Sequence, residues 1–146
     1  MTLSRDQIAD LLGGTRLFAG VDHAARTRIA ERMTEVDLPP DRVIARQGEI
    51  GTGFFIVVSG AARVVRDGTT IAWLGPGQFF GELSVIDREP RVAQVISSGP
   101  TTCLALASWD FEAVIAEQPS VAMAILRELS GRLRGLTAEL SEAQHH

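Results

Sequence analysis

The chain has 146 residues, 45% of them hydrophobic and 22% charged, and a formal net charge of −4. That size and composition can build one hydrophobic core and exclude a disordered chain, and no apolar run approaches the ~20 residues that a membrane-spanning helix needs. The single cysteine, Cys103, excludes an internal disulfide framework and a cysteine-rich zinc site.

The distribution of charged residues and the N-terminal sequence indicate which partners and which cellular location to expect for the protein. All 14 basic residues are arginine, and they are scattered among 18 acidic residues without a basic run. Nucleic-acid binding needs several cations on one surface, so we expect none here. No basic-then-apolar leader opens the sequence, which predicts a cytoplasmic protein without membrane insertion. His145 and His146 resemble a tag remnant and are left out of the chemistry.

The first two elements are predicted to be helices, and a strand-rich region follows. Residues 4–12 and 22–33 carry apolar residues at helical spacing, with Ser4 and Asp22 as N-caps. From residue 35 to 107, β-branched and aromatic runs alternate with glycine and proline turns about every ten residues, which predicts an all-β sandwich or roll. The runs are 43–47, 53–60, 61–68, 69–75, 91–97 and 101–107. Asp67-Gly68 predicts a hairpin turn within this region.

Two helices are predicted at the C-terminal end. The first begins at Ser108, its N-cap, and ends before Pro119. The second runs from about 120 to 142, ~30 Å, with one apolar stripe. The stripe consists of Val121, Ile125, Leu129, Leu133, Leu136 and Leu140. A domain of this size need not bury the whole stripe, and we expect the remaining part to pack against a second copy of the chain. The alternative is burial within the same chain.

The segment 79–93 carries the candidate chemistry. Gly81 permits a tight bend, and a helical turn from Gly81 to Ser84 would present unpaired backbone N–H groups to an anion. Arg91 can close the same site with a bidentate fork. Glu82 accepts hydrogen bonds but cannot donate them, so beside a phosphate it fits only a hydroxyl on the same ligand. A nucleotide with a free ribose 2′-OH satisfies both requirements.

The run FGELSVIDREPRVA, residues 80–93, resembles the phosphate-binding cassette of the cyclic-nucleotide-binding domain family. QGEIGTGFFIVVSGAARVV, residues 47–65, resembles the family's glycine-punctuated hairpin, and LGPGQFFGE, residues 74–82, its approach to the cassette. The resemblance implies a mainly β fold with flanking helices, a jelly-roll-like β-roll or double-stranded β-helix. It implies one domain over 1–146, divided into N-terminal helices (1–34), the roll (35–107), lid or dimerisation helices (108–142) and a tail (143–146).

The resemblance also implies roles for individual residues. The short cassette helix, whose amides hold the cyclic phosphate, corresponds to Gly81, Glu82, Leu83 and Ser84. Glu82 matches the acid that binds the ribose 2′-OH, and Arg91 matches the arginine that pairs with the phosphate. On the last helix, Arg132 falls near the nucleotide, and Leu136 and Thr137 fall at base-contacting positions. The apolar wall beside the base corresponds to Val64, Ile71 and Ala72.

Two departures from the family pattern bear on ligand choice. Val92 follows the cassette arginine where many members carry Ser or Thr, so one hydroxyl contact to the phosphate is missing. The resemblance also implies that a Ser or Thr there helps some members accept guanine, so its absence favours cAMP over cGMP. Gln94 stands where Thr is frequent. The helix-turn-helix domain of catabolite-activator-type proteins is absent from the 146 residues, so DNA binding is not carried over.

The sequence therefore predicts a regulatory sensor that binds a cyclic nucleotide, needs no metal or other cofactor, and is not an enzyme. A cupin-type enzyme would need a cluster of metal ligands, and His23, expected on the surface, is the only histidine within the domain. A third hypothesis is a degenerate module that keeps the fold for protein contacts. Phe79 and Phe80 are expected in the core, and Cys103 is expected to be an inert core thiol.

Overall fold

The structure is a computed structural model that describes residues 2–46, 48, 53–81 and 91–144. In that part of the chain, four helices flank an antiparallel sheet of six strands. The helices are α1 (Arg5–Gly13), α2 (His23–Ala30), α3 (Ser108–Glu117) and α4 (Pro119–Gln144). The strands are β1 (Thr34–Leu38), β2 (Val43–Ala45), β3 (Gly53–Arg66), β4 (Thr69–Leu74), β5 (Phe79–Phe80) and β6 (Gln94–Ala107).

Both N-terminal helices begin at their predicted caps. The Ser4 side chain accepts a hydrogen bond from the Gln7 backbone N–H in a reciprocal capping box, and Asp22 caps α2. The predicted end of α2 at residue 33 is wrong, because the helix stops at Ala30. Past that point Met33 donates to the carbonyl of Ala30, a tighter i→i−3 bond that ends the helix.

The sheet is built on two long strands, β3 and β6, which pair along most of their length. The strand order is β1-β6-β3-β4, while β2 also pairs with β6 and β5 with β3. The four predicted runs 53–60, 61–68, 91–97 and 101–107 are therefore not four strands. Gly60 and Gly99 have φ of +81° and +79°, and the register shifts between Val57 and Ala61. The strands bend at these glycines without ending, because only glycine adopts this backbone conformation freely.

The turn between β3 and β4 is the predicted hairpin turn. Asp67 and Gly68 both have positive φ, +50° and +80°, as a two-residue turn with the right-handed twist of the strands requires. This turn brings Val64 directly opposite Ala72, with a register irregularity immediately after that pair.

The start of α3 differs from the prediction, and the exposure of α4 bears on the two alternatives given for its apolar stripe. Ser108 is not the N-cap of α3; that position is Ala107, which has no capping side chain. The apolar stripe of α4 is also divided, since Val121 and Ile125 are buried whereas Leu133 and Leu140 are 65% and 66% exposed. Burial of the whole stripe within the same chain is therefore wrong.

The buried side chains form two clusters. The larger one joins all four helices to one side of the sheet and includes Phe54, Phe79 and Phe111. The smaller one lies within the roll and includes Val57, Phe80 and Cys103. Phe79 and Phe80, consecutive in β5, thus lie in different clusters, because successive side chains of a strand point to opposite faces. This confirms that both are core residues.

Candidate functional site

Arg91 is half-buried, three residues before β6 begins, and not at the head of the strand as predicted. Two glycines hold it in place. The Gly48 N–H donates to the Arg91 carbonyl at 2.8 Å, and Arg91 Nη2 donates to the Gly53 carbonyl at 3.1 Å. The backbone is thus attached to the segment that precedes β3, and the guanidinium to the first residue of β3.

Gly81 lies against this guanidinium. Its φ is +96°, and a Cβ built on it would lie 2.7 Å from the Gly53 carbonyl oxygen and 3.1 Å from Arg91 Nη1. Any side chain at this position would displace either the Gly53 backbone or the arginine. The structure therefore brings Gly81 and Arg91 together, as the sequence predicts for an anion site closed by an arginine.

Glu82, Leu83 and Ser84 lie outside the described residues. The contact of Glu82 with a ribose hydroxyl, and the amides of a short cassette helix, therefore stay predictions. Gly81 and Arg91 are the described residues on either side of this gap.

Arg132, on α4, lies against the ring of Phe79 in β5. Its guanidinium carbon lies 5.6 Å from the centroid of the Phe79 ring, and its Nε lies 3.6 Å from a Glu128 carboxylate oxygen one turn earlier. Phe79 is two residues before Gly81 in the chain. α4 therefore contacts the strand that leads into the candidate site through an arginine.

Of the other predicted ligand-binding residues in the described part of the chain, all but Val64 are exposed. Val64 is half-buried against the smaller cluster and pairs with Ala72, whereas Ile71, at the register irregularity, is 57% exposed. Leu136 is 57% exposed, and the Thr137 hydroxyl donates to the Leu133 carbonyl of its own helix. Val92 is 63% exposed and has no hydroxyl to offer a phosphate. Neither Leu136 nor Thr137 contacts Arg91 in the described interactions.

Sequence reasoning missed the roles of Gly48 and Gly53 as the residues that hold Arg91. The signal was available, because both belong to the glycine-punctuated segment 47–65. The pattern does not show that these glycines hydrogen-bond to Arg91, about 40 positions later. That contact depends on the pairing of β3 with β6.

Cys103 behaves as the inert core thiol that was predicted. It is fully buried, and desolvation raises its pKa from 9.0 to about 11, so the reactive thiolate is suppressed at neutral pH. Among the described residues, no three side chains of His, Cys, Asp or Glu are grouped as a metal site would require. None of the described helices combines the length and the hydropathy of a membrane span.

Comparison with known proteins agrees with this geometry. Residues 35–118, more than half of the chain, match the sequence profile described as "Cyclic nucleotide-binding domain". The chain belongs to the cyclic nucleotide-binding domain family, whose members are regulatory nucleotide-binding domains, as the sequence predicts.

Individual relatives support both the family and the β-roll. The CRP-like cAMP-activated global transcriptional regulator of Mycobacterium tuberculosis is 27% identical over 138 residues, 91% of this chain and 62% of that protein. The crystal structure of Thermus thermophilus catabolite activator protein superposes with a TM-score of 0.80 at 32% identity, over 87% of this chain and 62% of that one. The regulatory domain of Toxoplasma gondii PKA, solved with cAMP, gives 0.77 at 27% identity, over 87% and 50%. The chain thus spans less than two thirds of each of these proteins.

Proposed function

We propose that this chain is a cytoplasmic regulatory sensor that binds a cyclic nucleotide, cAMP in preference to cGMP, and signals its occupancy through α3 and α4. The observation that carries the proposal is the guanidinium of Arg91 held against the backbone of Gly81. The free, buried thiol of Cys103 fits a reducing compartment.

The proposed phosphate site rests on how Arg91 is held. The hydrogen bond from Nη2 to Gly53 sets the plane of the guanidinium, and Gly81 leaves room beside Nη1. A guanidinium presents five N–H donors in a planar fork, a geometry that matches a phosphate bidentately. A preset fork loses less side-chain entropy on binding than a freely rotating one.

The proposed sugar and base contacts extend from this phosphate site. Glu82 follows Gly81 directly and is assigned to the ribose 2′-OH. The apolar wall of Val64, Ile71 and Ala72 is assigned to one face of the base. Adenine is preferred because Val92 lacks the hydroxyl that helps some family members accept guanine. The regulator of Mycobacterium tuberculosis is named as cAMP-activated, and the Toxoplasma gondii domain was crystallised with cAMP, which supports the same ligand here.

The proposed signal is a change in the position of α4. A ligand shifts such an equilibrium only by binding one position more tightly than the other. Arg132, Leu136 and Thr137 are the residues of α4 that we assign to this difference. Leu136 is 57% exposed, so it has apolar surface available to cover a base.

We further propose that two copies of the chain associate along α4. Leu126, Leu133 and Leu140 recur every seven residues, and Leu129 and Leu136 alternate with them at spacings of three and four. This is the heptad pattern of a two-stranded coiled coil. Four of the five are 57–66% exposed, more apolar surface than a solvated helix face normally carries.

Thermal unfolding in the presence of nucleotides tests the binding site. Ligand at 100 times its dissociation constant should stabilise the wild type by about 2.7 kcal/mol, with cAMP effective at lower concentration than cGMP, and 5′-AMP and a cyclic dinucleotide ineffective. Arg91→Ala should lose the shift. Arg66→Ala, which removes the same charge from the exposed end of β3, should keep the shift.

The outcomes separate the hypotheses. If none of the nucleotides stabilises the wild type, the degenerate protein-contact module is the better description. If the shift survives Arg91→Ala unchanged, Arg91 does not bind the phosphate.

Ligand preference is tested by Val92→Thr. The new hydroxyl supplies one hydrogen bond, worth about 0.5–1.5 kcal/mol, and should raise cGMP affinity about two- to tenfold relative to cAMP. Isothermal titration calorimetry with both nucleotides measures the ratio. An unchanged ratio would contradict the role given to Val92.

A further inference from the structure

We infer that Phe79 is the positioning residue for Arg132: its ring holds the guanidinium, and with it α4, at the edge of the nucleotide site. This inference rests on the proposed function and adds to it, since it assigns a second task to a residue otherwise explained as core.

The ring of Phe79 is held firmly. It is 7% exposed and lies 5.5 Å from the ring of Phe54, which in turn stacks on Phe111 at 4.5 Å. Three rings thus connect β5, β3 and α3 within the larger cluster. Because packed rings of this kind do not move independently, the surface that Phe79 presents to Arg132 is fixed relative to the roll.

Arg132 makes its contact where α4 leaves the core. Ile125 is buried and Leu129 partly buried, but every residue from Ser130 to Ser141 is exposed. Gly131 and Gly135, on either side of Arg132, would meet no atom within 4 Å if given a Cβ. The attraction between the Arg132 guanidinium and the face of Phe79 therefore acts on a part of the helix that apolar burial does not fix.

Glu128 directs the same guanidinium. Its carboxylate oxygen lies 3.6 Å from Arg132 Nε, one turn earlier on α4. The ion pair orients the arginine along the helix, while Phe79, two residues before Gly81, receives it from the roll. A displacement of β5 at the start of the cassette is thereby conveyed to the exposed part of α4 through this contact.

Phe80 supplies the matched control. It is the neighbouring residue of β5, 6% exposed, and its ring stacks on Phe55 at 5.0 Å in the other cluster. Phe79→Leu and Phe80→Leu each remove one buried ring from the same strand. Of the two rings, only Phe79 carries the Arg132 contact.

Nucleotide affinity tests the inference through double-mutant cycles. Phe79→Leu and Arg132→Met should each weaken cAMP binding about two- to fivefold, the range of a partly exposed cation–π contact, and the double variant should be no weaker than the worse single variant. Phe80→Leu combined with Arg132→Met should give the product of the single effects. Independent, multiplicative effects in the Phe79 cycle would overturn the inference.

NMR spectroscopy of the nucleotide-free protein gives a readout that packing alone does not move. Ring currents from Phe79 should shift the Arg132 side-chain protons upfield relative to those of Arg127, and Phe79→Leu but not Phe80→Leu should abolish the shift. If Phe79→Leu does not fold, the wild-type spectrum decides, because an unshifted Arg132 would overturn the inference. A wild type that binds no nucleotide yet shows the upfield shift would refute the proposed function and leave the contact standing.

Discussion

At the residue scale, three glycines determine the surroundings of Arg91. Gly48 donates to its carbonyl, Gly53 accepts from its guanidinium, and Gly81 leaves space beside its Nη1. A side chain at Gly81 would be strained by its φ of +96° and would also approach the Gly53 carbonyl too closely. The position of Arg91 therefore requires that residue 81 be a glycine.

Gly81→Ala should consequently destabilise the fold and weaken nucleotide binding. Gly77→Ala is the matched control, because Gly77 has a similar φ of +86° but nothing within 4 Å of a built Cβ. Both variants should lose about 1–2 kcal/mol through backbone strain, and Gly81→Ala about 1–3 kcal/mol more through the clash. Urea unfolding measures the difference. Equal losses for the two variants would show that the Gly53 carbonyl does not confine Gly81.

Cys103 gives the chain a pH dependence of its own. Burial raises the pKa of its thiol from 9.0 to about 11, and the chain contains no tyrosine and no lysine. Between pH 9 and 11 the unfolded chain therefore releases a proton that the folded chain keeps. Since the unfolded state then binds fewer protons, the free energy of unfolding falls as the pH rises through this window.

We expect the stability contribution of the neutral thiol to be complete below pH 9 and to decline by about 1–3 kcal/mol by pH 11. Urea unfolding at pH 7, 9 and 11 measures it. Cys103→Ala, which lacks the titrating group, should be less stable throughout but should lose no additional stability across this window. A parallel decline in both proteins would assign the effect to something other than the thiol.

At the element scale, one buried hydroxyl fastens the β1–β2 turn to β6. Ser97 is fully buried; its Oγ donates to the Pro39 carbonyl at 2.6 Å and accepts from the Arg42 N–H at 2.8 Å. Asp41, in the same turn, has a φ of +57° and donates its N–H to the Ser97 carbonyl. The turn leads into β2 and then to Gly48, which holds Arg91.

Ser97→Ala should therefore cost about 1–3 kcal/mol, because it removes two hydrogen bonds, one to the Pro39 carbonyl and one from the Arg42 N–H, each worth about 0.5–1.5 kcal/mol. Ser98→Ala serves as the control. That serine is adjacent and only partly buried, and its hydroxyl has no hydrogen bond to the described residues, so its loss should stay within about 0.5 kcal/mol. Chemical denaturation compares the two. Equal stabilities would show that the hydroxyl does not fasten the turn.

The same scale shows what the sequence could and could not predict. The caps Ser4 and Asp22 and the Asp67-Gly68 turn depend on near neighbours, and these predictions were confirmed, whereas the predicted cap Ser108 was wrong. The runs on either side of Gly60 and Gly99 were divided wrongly, because a glycine that ends a strand and one that bends it look alike in sequence. Whether it bends depends on the partner strand, which is distant in the chain.

In the candidate site, too, contacts within one short motif were predictable and contacts between distant residues were not. The association of Gly81 with Arg91 was predictable, because both belong to one short motif that resembles a known cassette. The contact of Arg132 with Phe79 joins residues more than 50 positions apart and was not predicted. Helical periodicity gives the residues that share a face of α4 but not which residue of the roll lies opposite them.

At the scale of the whole molecule, the two hydrophobic clusters have different structural roles. The larger cluster attaches α3 and the start of α4 to the sheet, while the smaller one supports the roll beside the proposed base wall. α4 belongs to the first cluster up to Leu129 and then extends past it with an apolar stripe. The free part of α4 is therefore the surface on which a second copy of the chain would pack.

The wild type should accordingly be a dimer, and Leu133→Glu should convert it to a monomer. A carboxylate at the centre of a two-stranded seam faces its own copy, so both desolvation and repulsion oppose association. Ala138→Glu adds the same charge on the opposite side of the helix and should leave the dimer intact. Sedimentation equilibrium gives the mass of each protein.

Two results would contradict this arrangement: a wild type that stays monomeric at high concentration, or a dimer that tolerates Leu133→Glu. Leu140→Glu, one heptad later, distinguishes packing along the whole apolar stripe from a contact confined to one part of α4. If the two chains pack along the whole stripe, this second substitution should weaken the dimer as well, whereas an association confined to the start of α4 would be unaffected by it.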